Sequence, residues 1–233
     1  MACSLRKAIH EKGYEKMRYQ LFIFDMDGTI LDTLDDLAAS TNYALACSGL
    51  PERTTDEIRR FVGNGVGELI DMAVPEGTDG AIKEKVLADF GSHYKEHCFD
   101  RTGPYKGIRE CINALKTAGM KVAVVSNKMD YAVGELCDRF FPGVFDAAVG
   151  EKEGIRRKPW PDSVNHVISQ LGVAKENAVY IGDSEVDIET AKNAGIDGIA
   201  VVWGFRDSDF LKEKGASVLV KDPEELCSML LER

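Results

Sequence analysis

Tyr19-Gln-Leu-Phe-Ile-Phe-Asp25-Met-Asp27-Gly28-Thr29 is the stretch that decides the fold. Its first half is short, apolar and rich in aromatic side chains, which reads as a buried strand. The run stops at two aspartates, and Gly28 permits a sharp turn there.

Working outward, further β-like runs lie at 121–125, 144–149, 178–181 and 198–202, with a weaker one at 216–220. Helical patterns alternate with them at 108–118, 131–139, 161–171, 186–194 and 207–214. Strand-then-helix alternation predicts an α/β fold: a parallel-sheet, Rossmann-like core with helices on both faces. Residues 34–103 break the pattern. They carry helical segments at 37–48, 55–62, 66–73 and 81–98, and no convincing strand. Thr54-Thr55-Asp56-Glu57 is a good helix start, with acids in the first turn. The expected organisation is therefore an N-terminal extension (1–18), a catalytic core (19–33 and 104–233) and an inserted helical cap domain (34–103).

The chain has 233 residues, 44% of them hydrophobic and 29% charged, with a formal net charge of −10. That balance argues against a broad nucleic-acid surface, which needs stripes of Lys and Arg. It also raises a question, because an acidic protein repels phosphate. The six cysteines are scattered with no Cys-x-x-Cys pair, which disfavours a zinc ribbon, a dithiol redox site or a disulfide scaffold. No apolar run reaches the roughly 18 residues of a membrane span, and residues 1–18 lack the apolar core of a signal peptide. A cytoplasmic protein with reduced cysteines is expected, as a monomer or homodimer without membrane or nucleic-acid partners.

In an open parallel sheet, ligands sit at the carboxyl ends of the strands. Asp25 and Asp27 follow the first strand, and Ser126-Asn127-Lys128 follow 121–125. Gly182-Asp183-Ser184 follow 178–181, with Asp187 one helical turn on. Lys158 stands just before the helix at 161–171. Two carboxylates ~4 Å apart repel by about 4 kcal/mol at an effective dielectric of ~20. A hard divalent cation relieves that, and Mg²⁺ suits few carboxylates plus water and phosphate oxygen. An aspartate beside such an ion can attack phosphorus. A second carboxyl two residues on can protonate the leaving oxygen and then activate water, worth roughly 10²–10⁴ in rate. Ser126 can hold phosphate oxygens, and Lys158 can offset charge on the transferred group.

FDMDGT (24–29), VVSNK (124–128), RKP (157–159) and GDSEVD (182–187) resemble, in order, the four motifs of the haloacid-dehalogenase-like phosphatase superfamily. The resemblance runs from about Tyr19 to the C-terminus. It implies Asp25 as nucleophile, Asp27 as acid/base and Lys158 as a catalytic cation. It implies Mg²⁺ held by the Asp25 carboxylate, the Asp27 carbonyl and Asp183. Asp187 becomes a water-mediated ligand or a partner of Lys158, and Thr29, Ser126 and Asn127 become phosphate contacts. The helical insert looks like the family's mobile cap. Asp27 argues against the dehalogenase and phosphonate-cleaving branches. Phe61-Val62-Gly63-Asn64-Gly65, Pro104-Tyr105-Lys106-Gly107 and Val202-Trp203-Gly204-Phe205 are similar to the phosphoglycolate phosphatase branch. The substrate this implies is a small phosphorylated metabolite, 2-phosphoglycolate first, with Gly63, Asn64 and Gly65 facing it. Pyrophosphatases, sugar-phosphate phosphatases and β-phosphoglucomutases share much of the pattern. A phospho-accepting receiver domain also combines a strand-end Asp, paired acids, Ser/Thr and Lys, but it leaves the insert unexplained.

Other residues admit two readings each. Gly63-x-Gly65-x-Gly67 follows a helical pattern and lacks Gly-Lys-Ser/Thr, so a turn in the cap is favoured over a nucleotide loop. His93 and His97 share a helix face without further ligands, which favours a surface pair over zinc. Lys128 fits a phosphate contact or a solvated helix start. Arg156 and Arg157 fit a solvated turn or a steering pair for an anion. Trp203 fits packing between the last helices better than a wall of the site. Asp32, Asp35 and Asp36 are expected to cap or lead the first helix of the insert. The acids concentrate at the proposed metal edge, five within 25–36 and four within 183–189. A bound cation there reconciles the net charge with a phosphorylated substrate.

Overall fold

Strand β1 (Leu21–Phe24) lies at the centre of the sheet in a computed structural model that describes residues 19–231. The expected N-terminal extension falls outside the described residues. The six-stranded sheet has the order β5-β4-β1-β6-β7-β8, and every pairing in it is parallel. Its other strands are β4 (Lys121–Met129), β5 (Ala147–Glu151), β6 (Ala178–Gly182), β7 (Asp197–Val201) and β8 (Leu219–Val220). The α/β core read from strand–helix alternation is thus present.

Successive β1 side chains point to opposite faces, and both faces are covered. Phe22 and Phe24 join Val122, Val124, Val179 and Ile181 in one apolar cluster. Helices α5 (Ile108–Thr117), α6 (Asp130–Phe140) and α10 (Pro223–Leu231) pack on it. Leu21 and Ile23 join Val125, Tyr180 and residues of α7 (Asp162–Leu171) and α8 (Glu185–Ala194) in the other. A short helix α9 (Ser208–Glu213) precedes β8.

Between β1 and α5 the chain builds a helical layer: α1 (Leu34–Cys47), α2 (Thr55–Phe61), α3 (Val66–Ala73) and α4 (Gly80–His97). It has an apolar cluster of its own, centred on Leu45, Ile58, Val86 and Phe90. Thr54 opens α2 with a capping box closed by Glu57, as the local sequence predicts. The two segments joining the layer to the core pair as an antiparallel ribbon of β2 (Leu31–Asp32) with β3 (Gly103–Pro104). Sequence patterning does not reveal this ribbon, because two-residue strands carry no periodicity.

Asp36 departs from its expected role at the start of α1. It is buried, and its carboxylate accepts hydrogen bonds from the Thr102 amide (2.9 Å), the Thr102 hydroxyl (2.7 Å) and the Arg101 amide (3.1 Å). Asp36 therefore ties the outgoing connection to the returning one. Thr33 occupies the N-cap position, and its side chain makes no capping bond.

Candidate active site

Register places the site. Phe24 pairs with both Val124 and Ile181, so Asp25, Ser126 and Asp183 emerge at one edge of the sheet. β4 continues beyond its expected end: Ser126, Asn127 and Lys128 are strand residues, and pairing with β5 shifts between Val125 and Met129. That irregularity turns several polar side chains toward the site from one strand.

Asp25 is buried. Its Oδ1 accepts from the Met26 amide at 2.7 Å and lies 2.9 Å from Lys158 Nζ. Its Oδ2 takes no hydrogen bond from the described residues. Burial raises the Asp25 carboxyl to about 7, against the pull of Lys158, with Asp187 adding to the rise. Asp183 is raised to about 8 by burial and by its neighbours Asp187 and Asp25.

Asp183 is fixed from both sides. Thr29 Oγ1 donates to its Oδ1 (3.0 Å) and the Phe205 amide to its Oδ2 (2.7 Å). A β-carbon on Gly28 (φ +79°) or on Gly204 would collide with the Asp183 carboxylate, so both positions require glycine for close approach. Thr29 is fully buried and does not line the cavity. Its expected role as a phosphate contact is corrected: the hydroxyl orients Asp183.

Lys158 and Asp187 form a buried pair at 2.8 Å, and Lys158 Nζ also donates to the Tyr180 hydroxyl at 3.0 Å. Burial opposes the Lys158 charge, but Asp187 and Asp25 outweigh it and hold the ammonium well above its usual value. The other Asp187 oxygen accepts from the Ser184 amide and hydroxyl, a capping box that starts α8. Of the two roles open to Asp187, the structure displays the partnership with Lys158. Asn127 holds the Lys158 backbone through both ends of its amide and donates to the Gly63 carbonyl as well. Both Asn127 side-chain N–H donors are thus occupied by carbonyls, and the residue lines the cleft. The Lys158–Pro159 peptide is cis.

Lys128 is buried rather than solvated at a helix start, and it lines the cleft. It is 4% exposed, pairs with both Asp27 oxygens (2.9 and 3.2 Å) and lies 4.6 Å from the Tyr94 ring centroid. Arg156 forms a two-point ion pair with Asp162 and stacks on Trp160, as a surface turn does. Arg157 reaches Glu68 and Glu151, each at 3.8 Å. Trp203 packs against the core and donates to the Thr29 carbonyl. His93 and His97 stack on each other, with Ser40 and Asp100 as their respective partners. The acidic trio Asp25, Asp183 and Asp187 is the only group of three or more candidate metal ligands among the described residues, and neither histidine belongs to it.

A cleft opens over Asp25, Asp27, Ser126 and Asp183. Gly63 and Gly65 reach it from the α2–α3 turn. Asn64 between them does not line it, and its side-chain amide faces Glu68 at 3.4 Å. The roof is apolar, with Leu37, Val66 and Leu69. Two roof residues escaped the sequence reading: Tyr94, which patterning reads as core, and Arg206, which no local motif marks. Arg206 donates to the Arg59 and Val62 carbonyls (2.9 and 2.8 Å) and to Glu185 (2.9 Å), bridging core and helical layer.

Among the described residues, Asp25, Asp27, Asp183 and Asp187 pair with two ammonium groups, Lys128 and Lys158, so ionising all four carboxyls leaves two negative charges unmatched. Oxygen atoms of Asp25, Asp183 and Asp187 lie within 4.8 Å of one another. An all-oxygen donor set with two uncompensated charges fits a hard divalent cation.

The haloacid dehalogenase-like hydrolase family profile matches residues 22–201. The chain is similar to a phosphoglycolate phosphatase of Aquifex aeolicus, at 33% identity over 80% of this chain and 86% of the relative. It is equally similar, at 33%, to an N-acetylmuramic acid 6-phosphate phosphatase of Pseudomonas aeruginosa, over 93% of this chain and 96% of the relative. A crystal structure from Lactobacillus delbrueckii subsp. bulgaricus, provisionally assigned as a phosphoglycolate phosphatase, superposes with a TM-score of 0.88. That protein is 42% identical and covers 93% of this chain and 100% of its own. No helix among the described residues is long and apolar enough to cross a membrane.

Proposed function

Because the chain belongs to the haloacid dehalogenase-like hydrolase family, we propose that it is a Mg²⁺-dependent phosphomonoester hydrolase working through a phosphorylated Asp25. The observation that carries this reading is the state of Asp25. One oxygen is anchored by the Met26 amide and Lys158, the other takes no hydrogen bond from the described residues, and the residue lines the cleft.

In the first half-reaction Asp25 Oδ2 attacks phosphorus, and the bond to the leaving oxygen breaks. Asp27 gives that oxygen a proton. In the second, Asp27 takes a proton from water, the water oxygen bonds to phosphorus, and Asp25 is released with inorganic phosphate. Lys158 opposes charge on the transferred group while Asp187 holds its ammonium in place. Ser126 lines the cleft, with its hydroxyl available to a phosphate oxygen. The Asp25 and Asp183 carboxylates and the Asp27 carbonyl would hold Mg²⁺, which supplies positive charge at a phosphate oxygen when bound.

The substrate we propose is a small phosphorylated metabolite, with 2-phosphoglycolate first in view of the cleft motifs and the relatives' activities. The helical layer acts as the cap over this substrate. The protein works in the cytoplasm, consistent with the free state of all five cysteines among the described residues. Asp25→Asn tests the reaction: Mg²⁺-dependent phosphate release from a metabolite panel should vanish while circular dichroism stays native. Substantial residual turnover would sink the proposal. Isomerisation of sugar phosphates without phosphate release would instead indicate a mutase.

A further inference from the structure

Among the described residues, three buried side-chain polar atoms lack a hydrogen-bond partner: Thr33 Oγ1, Asn165 Oδ1 and the Tyr94 hydroxyl. Of the three residues, only Tyr94 lines the cleft above Asp25. It is 1% exposed, and its ring stacks on Phe90 at 5.3 Å within the core of the helical layer. The ring is therefore held from behind; the Lys128 ammonium beside it can only donate to the hydroxyl oxygen, and the hydroxyl proton finds no acceptor among the described residues. Leaving a buried hydroxyl unsatisfied costs about 1–3 kcal/mol, so a partner arriving from the cleft would be favoured.

The surroundings fix the polarity of that partner. The Lys128 ammonium lies over the Tyr94 ring, 4.6 Å from its centroid. Burial raises the phenol well above its usual value, so it keeps its proton and offers a donor. A donor beside a cation selects an oxygen acceptor. Of the other roof residues, Leu37, Val66 and Leu69 offer no hydrogen bond from their side chains, and the Arg206 guanidinium is engaged by Glu185 and by the Arg59 and Val62 carbonyls. The phosphoryl group belongs on the floor, at Asp25 and Ser126, so the group that reaches Tyr94 is the leaving alcohol.

We propose that the Tyr94 hydroxyl is a specificity-determining donor to the leaving group. The class it selects is phosphomonoesters whose alcohol carries a further oxygen acceptor, a hydroxyl or a carboxylate, beyond the ester oxygen. This rests on the phosphatase reading above and narrows it. It gives a physical reason for a phenol where patterning calls for an apolar residue.

Tyr94→Phe removes the hydroxyl and leaves the ring. The test compares kcat/KM of the full-length protein with Mg²⁺ on 2-phosphoglycolate and glycerol phosphate against phenyl phosphate, whose leaving group has no second oxygen. The variant should keep or slightly raise its thermal midpoint. It should lose about 10- to 100-fold on at least one oxygen-bearing ester and stay within about twofold on phenyl phosphate. An equal loss on all three would assign Tyr94 a structural role and overturn the proposal. No loss on either oxygen-bearing ester would show that water or nothing meets the hydroxyl, and would overturn it too. Wild-type protein that releases phosphate from none of them would instead overturn the phosphatase reading, and this proposal with it.

Discussion

The Lys128 ammonium stands 2.9 Å from Asp27 Oδ1, with side-chain exposures of 2% and 14%, so the pair is largely withdrawn from water. Breaking one partner of such a pair leaves the other charge without compensation, which costs more than the pair itself contributes. Lys128→Met should therefore destabilise the protein by about 3 kcal/mol in urea unfolding. Adding Asp27→Asn to that background should recover part of the loss, because the orphaned charge is then gone. Additive losses in the double variant would refute the coupling.

Proton linkage at the carboxylate edge gives a second expectation. Asp25 and Asp183 titrate near 7 and 8 when metal-free, against about 4 in an unfolded chain. Between those values the folded state binds more protons than the unfolded state. The contribution of these groups to stability thus falls as pH rises through the window. A divalent cation displaces the protons and relieves the repulsion. Mg²⁺ should raise the thermal midpoint only slightly at pH 5.5 and by several degrees at pH 8. Asp183→Asn should remove most of that pH-dependent gain. An equal shift at both pH values would count against a cation at this edge.

The core and its carboxylate edge are legible in the sequence because each rests on a local signal. Phe24 and Val125 end apolar runs, and acids or small polar residues follow them. What stays hidden depends on contacts distant in sequence. Lys128 reads as a phosphate contact or a solvated helix start until Asp27, 101 residues away, and the Tyr94 ring enclose it. Thr29 reads as a phosphate contact until the tertiary fold sets Asp183 against its hydroxyl. Arg206 sits in no motif, and its partners become visible only when the α2 carboxyl end is placed above it. The α10 helix escapes because its apolar residues follow a short terminal strand with no core of their own to mark it.

Arg206 suggests a third measurement. Its guanidinium takes up carbonyls at the end of α2, groups that a helix leaves without internal partners, while Glu185 fixes it from the core. Arg206→Ala should free this turn, speeding amide exchange in residues 58–66 and raising KM by roughly tenfold through a lower population of the competent form. Arg206→Lys should lie between, since a single ammonium cannot reproduce the planar fork. Exchange unchanged in 58–66 would show that the helical layer is held by its apolar contacts alone.

The last expectation concerns Asp36, which sits at the attachment of the helical layer. Its carboxylate serves three donors, two backbone amides and the Thr102 hydroxyl. All of these lie on the returning segment just before β3, while Asp36 itself lies on the outgoing helix. Asp36→Ala leaves those donors in a buried setting without an acceptor, at an expected cost of about 3 kcal/mol in urea unfolding. Thr102→Val removes one donor together with its need, so its cost should be nearer 1 kcal/mol. The two substitutions share one contact, so together they should cost less than their sum. Because the β2–β3 ribbon is only two residues long on each side, Asp36 is the principal side-chain tie between the crossings. Its loss should then expose residues 98–104 to proteolysis before the sheet unfolds. Cleavage that begins in the sheet, or a cost below about 1 kcal/mol, would mean the ribbon holds the crossing without it.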